Sequence, residues 1–176
     1  EEAFTRLQSL IARYPNGDRA NAARLRLARW ENSRGQSEQA RQWLSALQVK
    51  QLDATQQRTF YRLQAELAED PVEKAVALSA LRANLAAAEA AAESDSTAST
   101  EAAEAVASVD TEIDGQLEAL STEELGRLAV TLNGPAPPAG RIRLLLARRA
   151  LEAGDPENAQ RLLEKSSDYS LTPRDE

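Results

Sequence analysis

The chain has 176 residues, of which 42% are hydrophobic and 28% charged, so it is long enough to bury a core within one domain or a short array of repeats. It contains no histidine, cysteine or methionine, which excludes thiol nucleophiles, disulfides, imidazole bases and the common thiolate or imidazole metal ligands. The net charge of −7 is concentrated in residues 51–125, where sixteen acidic residues accompany four basic ones, and this acidity argues against general nucleic-acid binding.

The composition predicts an all-α protein. The chain is rich in Ala, Leu, Arg, Glu and Gln, which lose little side-chain freedom in a helix, and it lacks alternating runs of Val, Ile and Thr. No hydrophobic run approaches the roughly 20 residues that a helix needs to cross a bilayer. Because the first residue is Glu1 rather than Met, we expect a piece of a longer polypeptide, whose signal peptide or lipid anchor would lie outside this chain.

The first predicted elements are an amphipathic helix that ends at Tyr14-Pro15 and a helix pair around the polar turn RGQSEQA. Ala28 lies within the first helix of this pair and Ala40 opens the second. Two antiparallel helices approach closely only where such small residues line their contact. Gly35 suits the left-handed conformation that ends a helix, so these residues predict a tightly packed helical hairpin.

Two further helices are predicted next along the chain. Asp53 is a suitable N-cap for a helix that runs through Phe60 and Leu67 to about Glu69. Pro71 suits the first turn of the following helix, whose apolar residues are Val76, Leu78, Leu81 and Leu85. We expect this helix pair to stack on the preceding hairpin.

The helical pattern weakens from residue 86 into a tract of alanine, serine and acidic residues. Such a tract has too little large apolar surface to offset the entropy of ordering the chain. We therefore predict helical hairpins in residues 1–92, a low-complexity and partly disordered insertion in residues 93–110, and a second helical region in residues 111–176.

The second helical region begins with a short predicted helix that carries Ile113 and Leu117. Ser121 and Glu124 then form a capping box for the next helix, which the loop NGPAPPAG interrupts. A last helix pair surrounds the turn AGDPENA, with Pro156 in the first turn of its second helix. The final ten residues are expected to form a frayed end or a linker to a further domain.

The two helix pairs match one another. A shift that aligns Arg24 with Arg143 also aligns the following pairs: Ala28 with Ala147, Gly35 with Gly154, Ala40 with Ala159, and Leu44 with Leu163. This spacing resembles the tetratricopeptide repeat, a helix-turn-helix unit of about 34 residues. Arg24 and Glu31 stand where that family usually has aromatic residues, and Leu52 replaces its closing proline. The resemblance implies tetratricopeptide-like hairpins stacked in an α-solenoid.

The segment RYPNGDRANAARLRLAR resembles repeats of bacterial envelope proteins, including outer-membrane assembly lipoproteins and periplasmic cell-division coordinators. Residues 109–130 and 141–166 are similar to the helical N-terminal domain of penicillin-binding protein activators, where a type I periplasmic-binding-like domain follows. The resemblance implies a periplasmic scaffold, anchored to the outer membrane by a lipid outside this chain, that docks a peptidoglycan synthase.

No arrangement of residues predicts catalysis, a cofactor or a metal site. The pairs Glu123-Glu124 and Glu69-Asp70 lack an accompanying base, so we interpret them as solvated helix surface. The turn GDPENA resembles a calcium loop only superficially, because the other oxygen ligands are missing. No glycine-rich phosphate loop is present either.

Arginines are the predicted partner-binding residues. In tetratricopeptide arrays the first helix of each repeat lines the concave groove, and the matched register gives Arg29 and Arg148 equivalent groove positions, with Arg141 one to two turns earlier. Their expected contacts are acidic groups of a protein partner, and the alternative is surface arginines whose stems cover alanine-rich helices. Trp30 and Trp43 would either stack on a ligand or fill space between helices, which is the favoured interpretation.

Three functions therefore remain open. The favoured one is a non-catalytic envelope scaffold whose partner is a penicillin-binding protein or another envelope protein. The second is a generic adaptor that binds a peptide in its groove. The third is a non-catalytic module of a larger enzyme. In none of them does the chain bind nucleic acid, and it meets a membrane only through a lipid anchor outside this chain.

Overall fold

The computed structural model describes residues 2–92, 96–132 and 137–164. The described residues form nine α-helices and one 3-10 helix and contain no strand, which confirms the all-α prediction. The helices are α1 (Glu2–Arg13), α2 (Asp18–Ser33), α3 (Ser37–Ser45), α4 (Ala54–Leu67), α5 (Pro71–Ala91), α6 (Ser96–Ala119), α7 (Thr122–Thr131), α8 (Pro137–Glu152) and α9 (Pro156–Glu164). The 3-10 helix, Val49–Gln51, connects α3 to α4.

The predicted hairpin of α2 and α3 is confirmed. Ala28 and Ala40 are both completely buried. Gly35 has a φ of +74°, and the backbone N–H of Gln36 donates to the carbonyl of Glu31 at 2.9 Å. This is the Schellman arrangement, in which a left-handed residue just beyond the helix satisfies carbonyls of its last turn.

The second hairpin, of α8 and α9, has the same turn. Gly154 has a φ of +79°, and the backbone N–H of Asp155 donates to the carbonyl of Ala150 at 2.9 Å. Ala147 and Ala159 are buried, as their counterparts in the first hairpin are. The internal repeat is therefore present in the local geometry of both hairpins.

The two hairpins differ in what covers their second helix. Leu44 of α3 is only 7% exposed because it joins a hydrophobic cluster with α4, whereas Leu163 of α9 is 41% exposed. Among the described helices, α9 packs mainly against α8. The register that matches Leu44 with Leu163 thus holds in sequence but not in burial.

The helix starts predicted in the middle of the chain are confirmed. Asp53 and Gln56 form a capping box at the start of α4, and Pro71 occupies the first turn of α5. The side chain of Asp70 caps α5 by accepting a hydrogen bond from the backbone N–H of Val72 at 2.9 Å. Each cap satisfies backbone donors that have no partner within the helix.

The structure differs from the prediction at α6. We expected a short helix from Ile113, but α6 is a single 24-residue helix that begins at Ser96 and crosses the predicted domain boundary after residue 110. Val106, Val109, Ile113 and Leu117 are buried, and their spacing of three to four residues forms one apolar stripe for contact with α5. The alanine-rich N-terminal half continues this helix because alanine has the highest helix propensity. Residues 93–95 lie outside the described residues, and partial disorder of the insertion stays a prediction.

Acidic residues of α6 bind arginines from three other helices. Asp110 binds Arg82 of α5 through two contacts, from Nε to Oδ1 at 2.5 Å and from Nη2 to Oδ2 at 3.2 Å. Glu112 binds Arg62 of α4 at 2.6 Å. Asp114 forms an ion pair with Arg141 of α8. The acidity of this tract therefore helps to attach α6 to its neighbours.

Two hydrophobic clusters form the core. The smaller one joins α2, α3 and α4 around Leu25, Leu44 and Phe60, and the larger one joins α4 to α8 around Leu78, Ile113, Leu125 and Ile142. Tyr61 packs against both clusters. The principal contacts of every described helix are with helices one or two places away in the chain.

The remaining predicted features lie near α7 and at the C-terminus. Ser121 and Glu124 form the predicted capping box of α7. Pro156 is the first residue of α9, as predicted, and Asp155 accepts a hydrogen bond from the backbone N–H of Asn158 at 3.0 Å. Residues 133–136 of the predicted loop and the predicted exit, residues 167–176, lie outside the described residues. Residues 137–140, which were also predicted to belong to the loop, instead form the first turn of α8.

Candidate functional site: an arginine-lined groove

A groove of about 630 Å³ lies between α2, α4, α5 and α6. Its floor is apolar and is formed by Leu63, Leu81, Leu85 and Val109. Arg29 of α2 and Arg58 and Arg62 of α4 stand along its rim. We call this surface, defined by these seven residues, the arginine groove.

The arginines reach the groove because of their spacing on the helices. Arg26 and Arg29 lie three residues apart on α2, next to the buried Leu25 and Ala28. Residues three or four apart share one face of a helix, so both side chains emerge beside the contact of α2 with α4. A smaller cavity of about 180 Å³, lined by Arg26, Arg29 and Thr59, continues the groove between these two helices. We count this extension, and with it Arg26, as part of the arginine groove.

Three of the four arginines lack an acidic partner. Arg62 is paired with Glu112 of α6 at 2.6 Å. Arg58 donates only within its own helix, to the hydroxyl of Thr55 at 3.1 Å and more weakly to a backbone carbonyl. Within residues 2–92, 96–132 and 137–164, no carboxylate binds Arg26, Arg29 or Arg58. Their positive charge is therefore available to an occupant of the groove.

Neighbouring polar residues form hydrogen bonds between the helices of the groove. Asn32 of α2 donates to Glu66 of α4 at 2.9 Å, and Asn84 of α5 donates to Gln57 of α4 at 3.0 Å. Both hydrogen bonds connect helices that form the walls. A hydrogen bond typically contributes about 0.5–1.5 kcal/mol to stability, so these two bonds add to the packing that joins the helices.

The three predicted partner-binding arginines do not share one groove. Arg141 and Arg148 line a separate cavity of about 350 Å³ with Asp114 and Glu118, while Arg29 lines the arginine groove. The side chain of Arg141 is only 14% exposed and pairs with Asp114, so it has a structural contact between α6 and α8. Arg148 is exposed and binds Glu152 one turn later at 3.1 Å. A partner contact by any of the three stays a prediction.

Sequence reasoning did not select Arg26 and Arg58. Arg26 precedes Arg29 by three residues, so its position on the same helix face could have been read from the pattern alone. Arg58 could not, because its place beside Arg29 depends on how α4 packs against α2. The tertiary contact therefore adds a residue that no local pattern indicates.

The two tryptophans contact other side chains of the protein. Trp30 packs against Phe4 of α1 with ring centroids 4.5 Å apart, and the guanidinium of Arg34 lies 4.4 Å from its ring centroid. Trp43 is half-buried against the cluster of α2, α3 and α4. Both positions agree with the favoured interpretation that these rings fill space between helices.

A second concave surface, of about 460 Å³, lies between α3, α4, α5 and α7 and is mainly apolar. Arg41 stands at its rim and binds Glu69 at 2.6 Å and Glu38 at 3.2 Å. Burial works to lower the pKa of Arg41, but hydrogen bonds to Glu38 and Glu69 outweigh it, and the pKa is raised above its ordinary value. This arginine is already neutralised, unlike those of the arginine groove.

The carboxylate pairs considered for acid-base chemistry have structural contacts. Glu69 binds Arg41, and Asp70 caps α5. The hydrogen bonds of Ser121, first from its side chain and then from its backbone, hold the pKa of Glu124 below its ordinary value. No three carboxylates lie close enough to hold a metal ion in the described part of the chain.

None of the helices that the structure describes is both long enough and apolar enough to cross a bilayer. Comparisons with known proteins found no matching family model, no matching curated protein and no matching solved structure.

Proposed function

We propose that the chain is a non-catalytic scaffold that binds a protein partner. The observation that carries this proposal is the arginine groove, an open concave surface with an apolar floor and three arginines that no described carboxylate neutralises. An extended open surface suits a polypeptide, whereas catalysis on a small molecule usually uses a pocket that excludes water.

The finer architecture belongs to the same proposal. We infer that the helices stack as tetratricopeptide-like hairpins in an α-solenoid. The support is twofold: the hairpins around Gly35 and Gly154 share one turn geometry, and the principal helix contacts join neighbours along the chain. In such arrays each unit contacts mainly the adjacent units, which leaves a long surface for binding.

The cellular role we propose is that of a helical domain in a regulator that activates a peptidoglycan synthase, a penicillin-binding protein. In this proposal the full-length protein is periplasmic and is anchored to the outer membrane by a lipid outside this chain. The support is the resemblance of residues 109–130 and 141–166 to penicillin-binding protein activators. A generic adaptor and a non-catalytic module of a larger enzyme are the competing proposals.

A direct titration tests the envelope proposal. The purified chain is immobilised and exposed to the purified extracytoplasmic parts of peptidoglycan synthases, with binding followed by biolayer interferometry. We expect saturable binding to one synthase, weakened by the double variant Arg29→Glu with Arg58→Glu. If no synthase binds, the envelope role is wrong, and if residues 1–176 turn over a substrate, the scaffold proposal itself is wrong.

A further inference from the structure

We propose that the arginine groove binds an acidic, amphipathic segment of the partner protein, with an apolar side chain on the floor and flanking carboxylates on Arg26, Arg29 and Arg58. This inference rests on the proposed scaffold function and names the chemical class of the partner. The following observations lead to it.

The floor accepts an apolar group of modest size. Leu63, Leu81 and Val109 are almost fully buried by the helices around them, while Leu85 and Ala105 are half-buried and present accessible apolar surface to the groove. An aliphatic side chain placed there would remove further apolar surface from water, which is favourable at about 25 cal/mol per Å². The occupant therefore needs at least one apolar residue.

The rim selects carboxylates. Arg26 and Arg29 are exposed like charges three residues apart on α2, and such pairs are mildly destabilising unless an anion lies between them. Guanidinium groups present a planar fork of donors that matches a carboxylate, often through two hydrogen bonds. Arg58 approaches from α4 and lines the same groove as Arg29. Two or three carboxylates of one segment would satisfy these arginines together.

Acidic residues at the edge of the groove disfavour a long polyanion. Glu66 lines the groove beside the arginines, and the exposed Glu101 and Glu104 lie on α6 just before the lining residue Ala105. Nucleic acids and anionic membranes carry charge over their whole length and need a broad basic face. A short polypeptide segment can instead place its carboxylates only where the arginines are, while its backbone N–H groups donate to the hydroxyls of Thr59 and Ser108.

The test compares three labelled peptides by fluorescence anisotropy with the full chain. The first alternates glutamate with leucine over twelve residues, the second replaces each glutamate by glutamine, and the third replaces each by lysine. We expect the acidic peptide to bind at least about tenfold more tightly than the glutamine peptide, with the difference decreasing as salt is added. The lysine peptide should bind most weakly.

Two charge-reversal variants locate the binding. Arg29→Glu with Arg58→Glu should weaken binding of the acidic peptide at least about tenfold, because two attractive charges become repulsive. Arg19→Glu is the matched control, since Arg19 is an exposed arginine of α2 that does not line the groove, and it should leave binding nearly unchanged. Circular dichroism of each variant checks that the helices are retained.

Other results would overturn the inference in distinguishable ways. If the acidic and glutamine peptides bind equally, or if Arg19→Glu loses as much affinity as the double variant, the groove does not select carboxylates. That result contradicts this inference but not the proposed scaffold function. Preferential binding of an oligonucleotide or of anionic vesicles assigns the surface to a phosphate ligand. A dimer that dissociates in the double variant assigns the groove to a second copy of the chain. If neither a peptide nor a synthase binds, the inference and the proposed function fail together.

Discussion

Enlarging the buried alanines of the two hairpins tests the packing of the fold most directly. Ala40→Leu adds three carbon atoms at a completely buried position of α3, within the hydrophobic cluster of α2, α3 and α4, in which Ala28 is also completely buried. Overpacking of this kind costs about 1–3 kcal/mol, and the enclosed position of Ala40 puts it near 2–3 kcal/mol. Ala159→Leu should cost only about 1 kcal/mol, because α9 packs mainly against α8 and can move outward.

Urea unfolding and thermal unfolding, both followed by circular dichroism at 222 nm, measure these differences as free energy and as Tm. For a domain of this size each 1 kcal/mol corresponds to about 2–4 °C in Tm, so Ala40→Leu should lower Tm by roughly 5–10 °C. Ala83→Leu is the control, because Ala83 is an exposed alanine within α5, and it should change the free energy of unfolding by less than about 0.5 kcal/mol. If Ala40→Leu unfolds like the parent, or if Ala159→Leu costs more than Ala40→Leu, the reasoning about these hairpins is wrong.

Three further predictions concern a turn, an ion pair and a cap. Gly35→Ala should lower the free energy of unfolding in urea by about 1 kcal/mol, because the φ of +74° strains any residue with a Cβ. Gly126→Ala, within α7, is the control and should stabilise the protein by about 0.5–1 kcal/mol. Equal effects of the two variants would contradict the left-handed turn. A double-mutant cycle of Arg82→Met and Asp110→Asn should show a favourable coupling free energy of about 1–3 kcal/mol. The reason is that the two side chains are only 14% and 18% exposed and make two contacts. A coupling of zero would contradict the docking of α6. The pKa of Glu124 is lower in the folded chain than its ordinary value of 4.5, so its cap contributes stability that is fully present above pH 4.5 and is lost as the pH falls through the lower, folded value. Glu124→Gln should therefore reduce the loss of stability between pH 6 and pH 3, measured by unfolding at each pH, and an unchanged loss would contradict this contribution.

Much of the local structure could be predicted because it depends on residues close together in the chain. Asp53 and Gln56 are three residues apart, as are Ser121 and Glu124, and each pair forms its capping box without help from distant helices. The same holds for the turn at Gly35, where the hydrogen bonds span five residues or fewer. The starts of α4, α5 and α7 and the turns of both hairpins were therefore predicted correctly, whereas the start of α6 was not.

The course of α6 could not be predicted in the same way. Its N-terminal half has no large apolar residue before Val106, so its local pattern gives no sign of a packed helix. The helix is attached through Asp110, Glu112 and Asp114, whose arginine partners lie 27 to 50 residues away. A pattern-based reading treats these carboxylates as solvated charge, because it cannot know which cations will face them.

The amino-acid sequence by itself determined that this protein is all-α and where its hairpin turns lie, because these properties follow from composition, spacing and local hydrogen bonds. Only the tertiary structure decided which arginines are neutralised. Arg141 and Arg62 meet carboxylates of α6, whereas Arg26, Arg29 and Arg58 meet none in the ranges described. The physical reason is that an ion pair between helices depends on how the helices are stacked, and that arrangement is set by burial of the whole apolar core rather than by any one segment.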